Sequence, residues 1–186
     1  MKLHLIWIPV VLLLSGCSTD SSGLNSGTAL RSKLLQASEC SFTAEITADY
    51  DDRSFLFTAD CATDNSGDLS FTLTAPTTIS GISGRLTGEA GQLVFDDMTL
   101  DFPLSAEDLP SPLSAPWIFM NALRSGFLSS VCIDDSKLRL CIDDTYAGED
   151  IRLDVWLDSA YLPCRAEILH DGIRFLTLNV TKFVIS

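Results

Sequence analysis

Two hydrophobic periodicities divide the chain. Over residues 27–38, Ala29, Leu30, Leu34 and Leu35 recur at helical spacing and predict a short helix. From residue 40 onward the period becomes two. Segments 40–49 (CSFTAEITAD) and 52–61 (DRSFLFTADC) alternate apolar with polar and fold on one another about Tyr50-Asp51. That fold sets Phe42 against Ala59, Ala44 against Phe57 and Ile46 against Phe55. Thr43 meets Thr58 on the other face. Cys40 then faces Cys61.

More strands follow. Leu69, Phe71 and Leu73 alternate before Ala75-Pro76, and Leu93-Val94-Phe95 and Met98-Thr99-Leu100 flank Asp96-Asp97. A Pro-rich acidic stretch, 103–116, leads into a helix over about 115–125, with Ser114 as N-cap, Pro116 in the first turn and Gly126 past the end. Trp117, Ile118, Phe119, Met120, Ala122 and Leu123 leave it almost no polar face. Such a helix is either buried core or a lid over a greasy cavity. Beyond it, Ile151, Leu153, Val155 and Leu157 oppose Arg152, Asp154, Trp156 and Asp158. His170-Asp171-Gly172 marks a hairpin turn between 164–169 and 173–184. The expected fold class is α+β, mostly antiparallel: a strongly curved sheet or incomplete β-barrel, with an N-terminal helix and an apolar helix on its concave face.

Residues 132–144 read CIDDSKLRLCIDD, so one tetrapeptide occurs twice. Folded about Ser136-Lys137, this segment pairs Val131 with Ile142, Cys132 with Cys141, Ile133 with Leu140 and Asp134 with Arg139. Opposed Cα atoms in an antiparallel pair lie about 4.5–5.5 Å apart, close to what a disulfide needs. The repeat therefore reads as hairpin symmetry, with disulfides expected at Cys40–Cys61 and Cys132–Cys141 and Cys164 left over. A metal site fits poorly. Past the leader the chain has one histidine, His170, and the Asp pairs alternate faces. Asp64-Asn65-Ser66-Gly67-Asp68 comes nearest to a calcium loop but departs from the EF-hand pattern. No metal and no cofactor is expected.

The N-terminus bears on compartment. Lys2 precedes an apolar run, Leu5 to Leu14, that has the length of an export signal. It ends in Leu14-Ser15-Gly16-Cys17, which resembles the lipobox of bacterial lipoproteins. The resemblance implies cleavage before Cys17, acylation of its thiol by palmitate-type chains, and a place in the cell envelope on the extracytoplasmic side of a membrane. The expected organisation is a signal peptide over 1–16, a lipidated terminus and flexible tether over 17–26, and one domain over 27–186. Loss of Lys2 with the leader leaves 11 basic residues against 25 acidic ones, a net charge of −14. Such a surface repels phosphate backbones, so nucleic acid is not an expected partner.

Enzymatic signatures are sparse. Gly-x-Ser-x-Gly, Walker and His-Glu-x-x-His motifs are lacking, and Gly81-Ile82-Ser83-Gly84-Arg85 has the wrong spacing for a nucleophile elbow. A non-catalytic protein is expected. The order of elements resembles the lipoprotein-carrier fold of LolA, LolB and related mycobacterial lipid-binding lipoproteins. It does so through helix 27–38 before the first hairpin, Phe71 to Pro76 followed by Ile79-Ser80-Gly81, the apolar helix after Met98 to Phe102, and Leu162 to Ile168 before the last hairpin. The resemblance implies a cavity between sheet and helices that accepts acyl chains, with Phe55, Phe57, Phe71, Trp117, Phe119, Met120 and Leu123 as its lining. The same side chains also suit plain core packing. A filled core would instead make the chain an anchored module that recruits an envelope protein.

Overall fold

The computed structural model describes residues 21–50, 53–88, 90–96, 98–106 and 109–186. The leader, the lipobox and Cys17 lie outside them. Helix α1 (Ser21–Gln36) leads into β1 (Glu39–Tyr50), β2 (Arg53–Asp64), β3 (Leu69–Ala75), β4 (Ser83–Leu86), β5 (Gly91–Phe95) and β6 (Met98–Phe102). A strap holding two-residue strands β7 (Ser105–Ala106) and β8 (Leu109–Pro110) ends in a 3-10 turn, Pro112–Ser114. Helix α2 (Ala115–Ser125) follows, then β9 (Phe127–Asp134), β10 (Lys137–Tyr146), β11 (Glu149–Leu157), β12 (Pro163–His170) and β13 (Ile173–Ile185).

Among the described residues eleven strands form one curved, unclosed antiparallel sheet in the order β6-β5-β4-β3-β2-β1-β13-β12-β11-β10-β9. First and last strands of the chain meet at its centre. Period-two patterning sends Phe42, Ala44, Ile46 and Ala48 of β1 and Ile151, Leu153, Val155 and Leu157 of β11 into the concave core. Both helices sit in that concavity. On α2, Phe119 meets Phe42 edge-on at 5.5 Å and Phe183 at 6.3 Å, and its buried residues run from Ala115 to Leu123. The all-round apolar character of α2 is thus explained by sheet on one side and α1 on another.

Helix α2 occupies the expected range, but its start differs. Ser114 is itself helical (φ −79°, ψ −14°) because the 3-10 turn runs straight into α2, and its hydroxyl donates to Leu104 O at 3.1 Å instead of capping. At the other end Gly126 N–H donates to Ala122 O. Helix α1 adds to this end of α2: Arg31 donates to Leu123 O at 2.9 Å, Ala122 O at 3.3 Å and Gly126 O at 2.6 Å. One guanidinium fork thereby satisfies groups a helix leaves orphaned.

Helix α1 is already present at Ser21, the first described residue, inside the segment expected to be a tether. Its first turns are polar and glycine-containing, so they give no apolar period; what holds them is a close seat on β9 and β10 at Gly23 and Gly27.

The two hairpins that carry cysteines form as expected, each with its register displaced by two residues. Phe42 pairs with Cys61, Ala44 with Ala59, Ile46 with Phe57, Thr43 with Asp60 and Cys40 with Thr63. Likewise Arg139 pairs with Cys132, Leu140 with Val131 and Cys141 with Ser130. In the second hairpin the reason is turn geometry. At Asp135 (φ 47°) and Ser136 (φ 63°) the backbone is left-handed at both central positions, the type I′ conformation that suits a two-residue hairpin. The expected disulfides are therefore corrected: Cys40 and Cys61, and Cys132 and Cys141, are diagonal neighbours, and all five described cysteines are free thiols. Diagonal Cα separations of about 7–8 Å exceed what a disulfide spans. Burial pushes the Cys61 thiol pKa far up and raises that of Cys40. On the convex face, Asp134 accepts Trp156 Nε1–H at 2.9 Å and Arg139 at 3.4 Å, while Arg139 and Arg165 flank the indole at 5.7 and 5.2 Å. The doubled CIDD is hairpin symmetry that serves packing.

The Asp171-Gly172 turn stands as expected, with φ of 51° and 76° and His170 paired to Ile173.

Candidate functional site

An open cleft of about 1070 Å³ lies where three parts of the chain converge. The β1–β2 hairpin end supplies Asp49, Tyr50, Arg53, Phe55 and Phe57. The β12–β13 end supplies His170, Asp171, Ile173 and Phe175, and the third wall is Phe102 to Pro103 with Leu109 to Leu113 of the strap. Its size is at or just above the usual range for small-molecule sites, roughly 300–1,000 Å³.

Alternation explains the lining. Phe55 and Phe57 share the inward face with Ala59 and Cys61, but β2 runs past the packed core at this end. Phe57 is still buried, whereas Phe55 is 47% exposed. The Tyr50 ring stands 6.4 Å from Phe55 and 6.2 Å from Phe175, so three aromatic rings form one wall. Polar groups collect at the rim: Asp49 accepts the Ser54 hydroxyl at 2.8 Å, and His170 Nε2 lies 3.4 Å from Glu149. Apolar walls with a polar rim are what a ligand with a long apolar part requires.

The strap is fixed chiefly at its root. Leu104 O accepts Ser111 N–H at 2.8 Å, the Ser114 hydroxyl at 3.1 Å and the Tyr146 hydroxyl at 3.2 Å. Farther out, the Tyr50 hydroxyl donates to Pro110 O at 2.7 Å. Burial of that phenol pushes its pKa up to about 12, so it stays a donor through the neutral range.

Of the seven side chains expected to line a cavity, Phe55 and Phe57 reach this cleft. Phe71, Phe119, Met120 and Leu123 are packed in the core. Trp117 is half-buried against Tyr146 at 5.7 Å and donates from Nε1 to Gly67 O at 3.1 Å. The opening thus lies beside the strap before α2. Tyr50, Phe102, Leu109, Leu113 and Phe175 were not foreseen. The recurrent Leu and Pro of 103–116 were their only signal, and that stretch reads equally as a connector.

The Asp64–Asp68 loop closes on itself. Asp64 Oδ1 accepts Ser66 N–H at 3.0 Å and Asp68 N–H at 3.1 Å, and these with the Ser66 hydroxyl lower its pKa. Among the described residues no three His, Cys, Asp or Glu side chains cluster as metal ligands.

A second surface stands out at the β5–β6 hairpin. Phe95 pairs with Met98 and Leu93 with Leu100; Phe95 on β5 is 56% exposed, and Met98 and Leu100 are 67% and 65% exposed on β6, whose outer edge is unpaired.

No family model matches the chain, and no curated protein does. Solved structures do resemble it. An uncharacterized conserved protein from Thermus thermophilus is 10% identical, with 89% of this chain and 88% of that one covered at a TM-score of 0.49. A LolA superfamily protein from Nitrosomonas europaea is 10% identical over 90% and 94%, with a TM-score of 0.46. The Mycobacterium tuberculosis lipoprotein LppX is 16% identical over 88% and 96%, with a TM-score of 0.44. These likenesses concern the course of the chain alone.

Proposed function

We propose that this protein is an envelope lipoprotein, anchored through acylated Cys17, that binds a lipid or other apolar ligand without catalysis. The observation that carries this reading is the aromatic-walled cleft. Phe55 and Ile173 remain 47% and 71% exposed at a concave site where a folded protein would otherwise bury them. Covering such surface with an acyl chain yields about 25 cal/mol per Å² of apolar area, with no bond made or broken. The cleft walls, Tyr50, Phe55, Phe57, Phe102 and Phe175, supply the contacts. Rim groups Asp49, Arg53 and His170 orient the polar end of the ligand.

The test is native mass spectrometry of the protein purified from membranes. A copurified lipid at one per chain, lost on Phe55→Asp substitution, supports the reading. Ligand-free protein that also fails to take up added phospholipid contradicts it.

The exposed β5–β6 hairpin favours a second reading, an anchored module that docks an envelope protein on the open edge of β6. In that case Met98→Asp abolishes association with the partner and leaves lipid content unchanged.

A further inference from the structure

The membrane anchor constrains more than location, because α1 leaves it very little slack. A Cβ placed on Gly23 would stand 2.8 Å from Val131 Cγ1 and 3.1 Å from Leu138 Cδ1. One on Gly27 would stand 3.1 Å from Leu128 Cδ2 and 3.2 Å from Leu140 Cδ2. The helix backbone therefore rests directly on β9 and β10. Four Cα–Cα steps join Cys17 to Ser21, a reach of at most about 14 Å. The headgroup layer alone takes up about 5–8 Å of it.

The corner held so close to the bilayer carries exposed apolar and amphipathic side chains, with two exposed carboxylates, Asp135 and Asp158, in its turns. Ile133 shares the face of Val131, pairs with Leu138 just past the seat of Gly23, and is 64% exposed. Leu138 also pairs with Leu157, so the β9–β10 turn stands beside the β11–β12 turn. There Tyr161 is 56% exposed, projected at φ 59° by a turn in which Asp158 Oδ1 accepts Ala160 N–H at 2.8 Å and Leu162 N–H at 3.0 Å. Lys137 is exposed between the two turns, and Leu24 is 37% exposed on the first turns of α1. An amphipathic tyrosine, an aliphatic side chain and a lysine suit the headgroup level.

We propose that the corner formed by Leu24, Ile133, Lys137 and Tyr161 lies in the headgroup layer of the anchoring membrane and docks the domain in one orientation. This rests on the reading of Cys17 as the acylated terminus. Its consequence concerns the cleft. His170, paired to Ile173 of β13, sits at the opposite end of β12 from Pro163, about 23 Å away at the usual rise per residue. The cleft mouth then points away from the bilayer, and ligand arrives from the aqueous side or from a facing partner.

The test is hydrogen exchange of the acylated full chain on phosphatidylcholine vesicles, beside an Ile133→Glu/Tyr161→Glu variant whose fold is checked by circular dichroism. Amides of 133–137 and 158–162 are expected to exchange at least about threefold more slowly in the parent than in the variant, while those of 171–174 do not differ. Equal exchange in parent and variant, both still vesicle-bound, overturns the docking and leaves the anchor standing. A chain that carries no acyl mass at Cys17 and does not stay on vesicles overturns the anchor and the docking with it.

Discussion

The Tyr50 hydroxyl donates to the carbonyl of Pro110 at 2.7 Å, joining the end of β1 to the outer limb of the strap. This bond closes one side of the cleft, and its donor is a phenol whose pKa burial raises to about 12. The neutral form is favoured in the folded state, so the contribution of Tyr50 is complete below pH 10 and fades as pH rises toward 12. Tyr50→Phe should lower stability by about 1 kcal/mol at neutral pH. The difference between parent and variant in urea unfolding should shrink between pH 10 and 12.

Core and cleft aromatics should separate cleanly. Phe119 is fully buried between Phe42 and Phe183, so Phe119→Ala should cost about 3–5 kcal/mol. Phe55 is 47% exposed, and Phe55→Ala should change stability by less than about 1 kcal/mol. The same change should weaken binding of an apolar ligand roughly tenfold, about 1.4 kcal/mol. Urea titration and a lipid-binding isotherm of each variant check the contrast.

Gly126 terminates α2 where there is no space for a side chain. A Cβ there would meet Ile142 Cγ2 at 2.5 Å and Ala122 O at 2.8 Å, and its carbonyl holds Arg31. Gly126→Ala should destabilise by about 1–3 kcal/mol, read from the urea midpoint at constant m-value.

Free thiols make a chemical prediction. Alkylation of the denatured chain without reductant should modify Cys40, Cys61, Cys132, Cys141 and Cys164, and peptide mapping should find no 40–61 or 132–141 linkage. In the folded protein Cys61 should react slowest, since burial both hides its sulfur and suppresses its thiolate.

At low pH the β2–β3 turn should loosen. The folded-state pKa of Asp64 is depressed, first by the Ser66 hydroxyl. Its stabilisation is therefore present above the ordinary carboxylate pKa and lost as pH falls through the lowered value. Asp64→Asn should remove that part of the acid dependence, measured by urea unfolding from pH 2 to 6.

Legibility in the sequence followed the physics of each signal. Faces were readable because period two survives any even displacement. Phe42, Ala44 and Ile46 point inward whether they oppose 59, 57 and 55 or 61, 59 and 57. Register was not readable for the same reason; in the β9–β10 hairpin the positive φ at Asp135 and Ser136 goes with it. Helix α2 was legible from its apolar run between proline and glycine. The first turns of α1 were not, because a glycine seat leaves no hydrophobic period. Two cleft residues, Phe55 and Phe57, follow from strand alternation. The rest depend on how the β12–β13 end and the strap meet the β1–β2 hairpin, a long-range event with no local sequence signature.

The most direct measurement is anomalous diffraction from crystals of the protein loaded with a phospholipid brominated along one acyl chain. Bromine peaks between Tyr50, Phe55 and Phe175 on one side and Leu109 to Leu113 on the other are the expected result. Bromine absent from that cleft, or bound only along the β5–β6 hairpin, would contradict the assignment of this site to an apolar ligand.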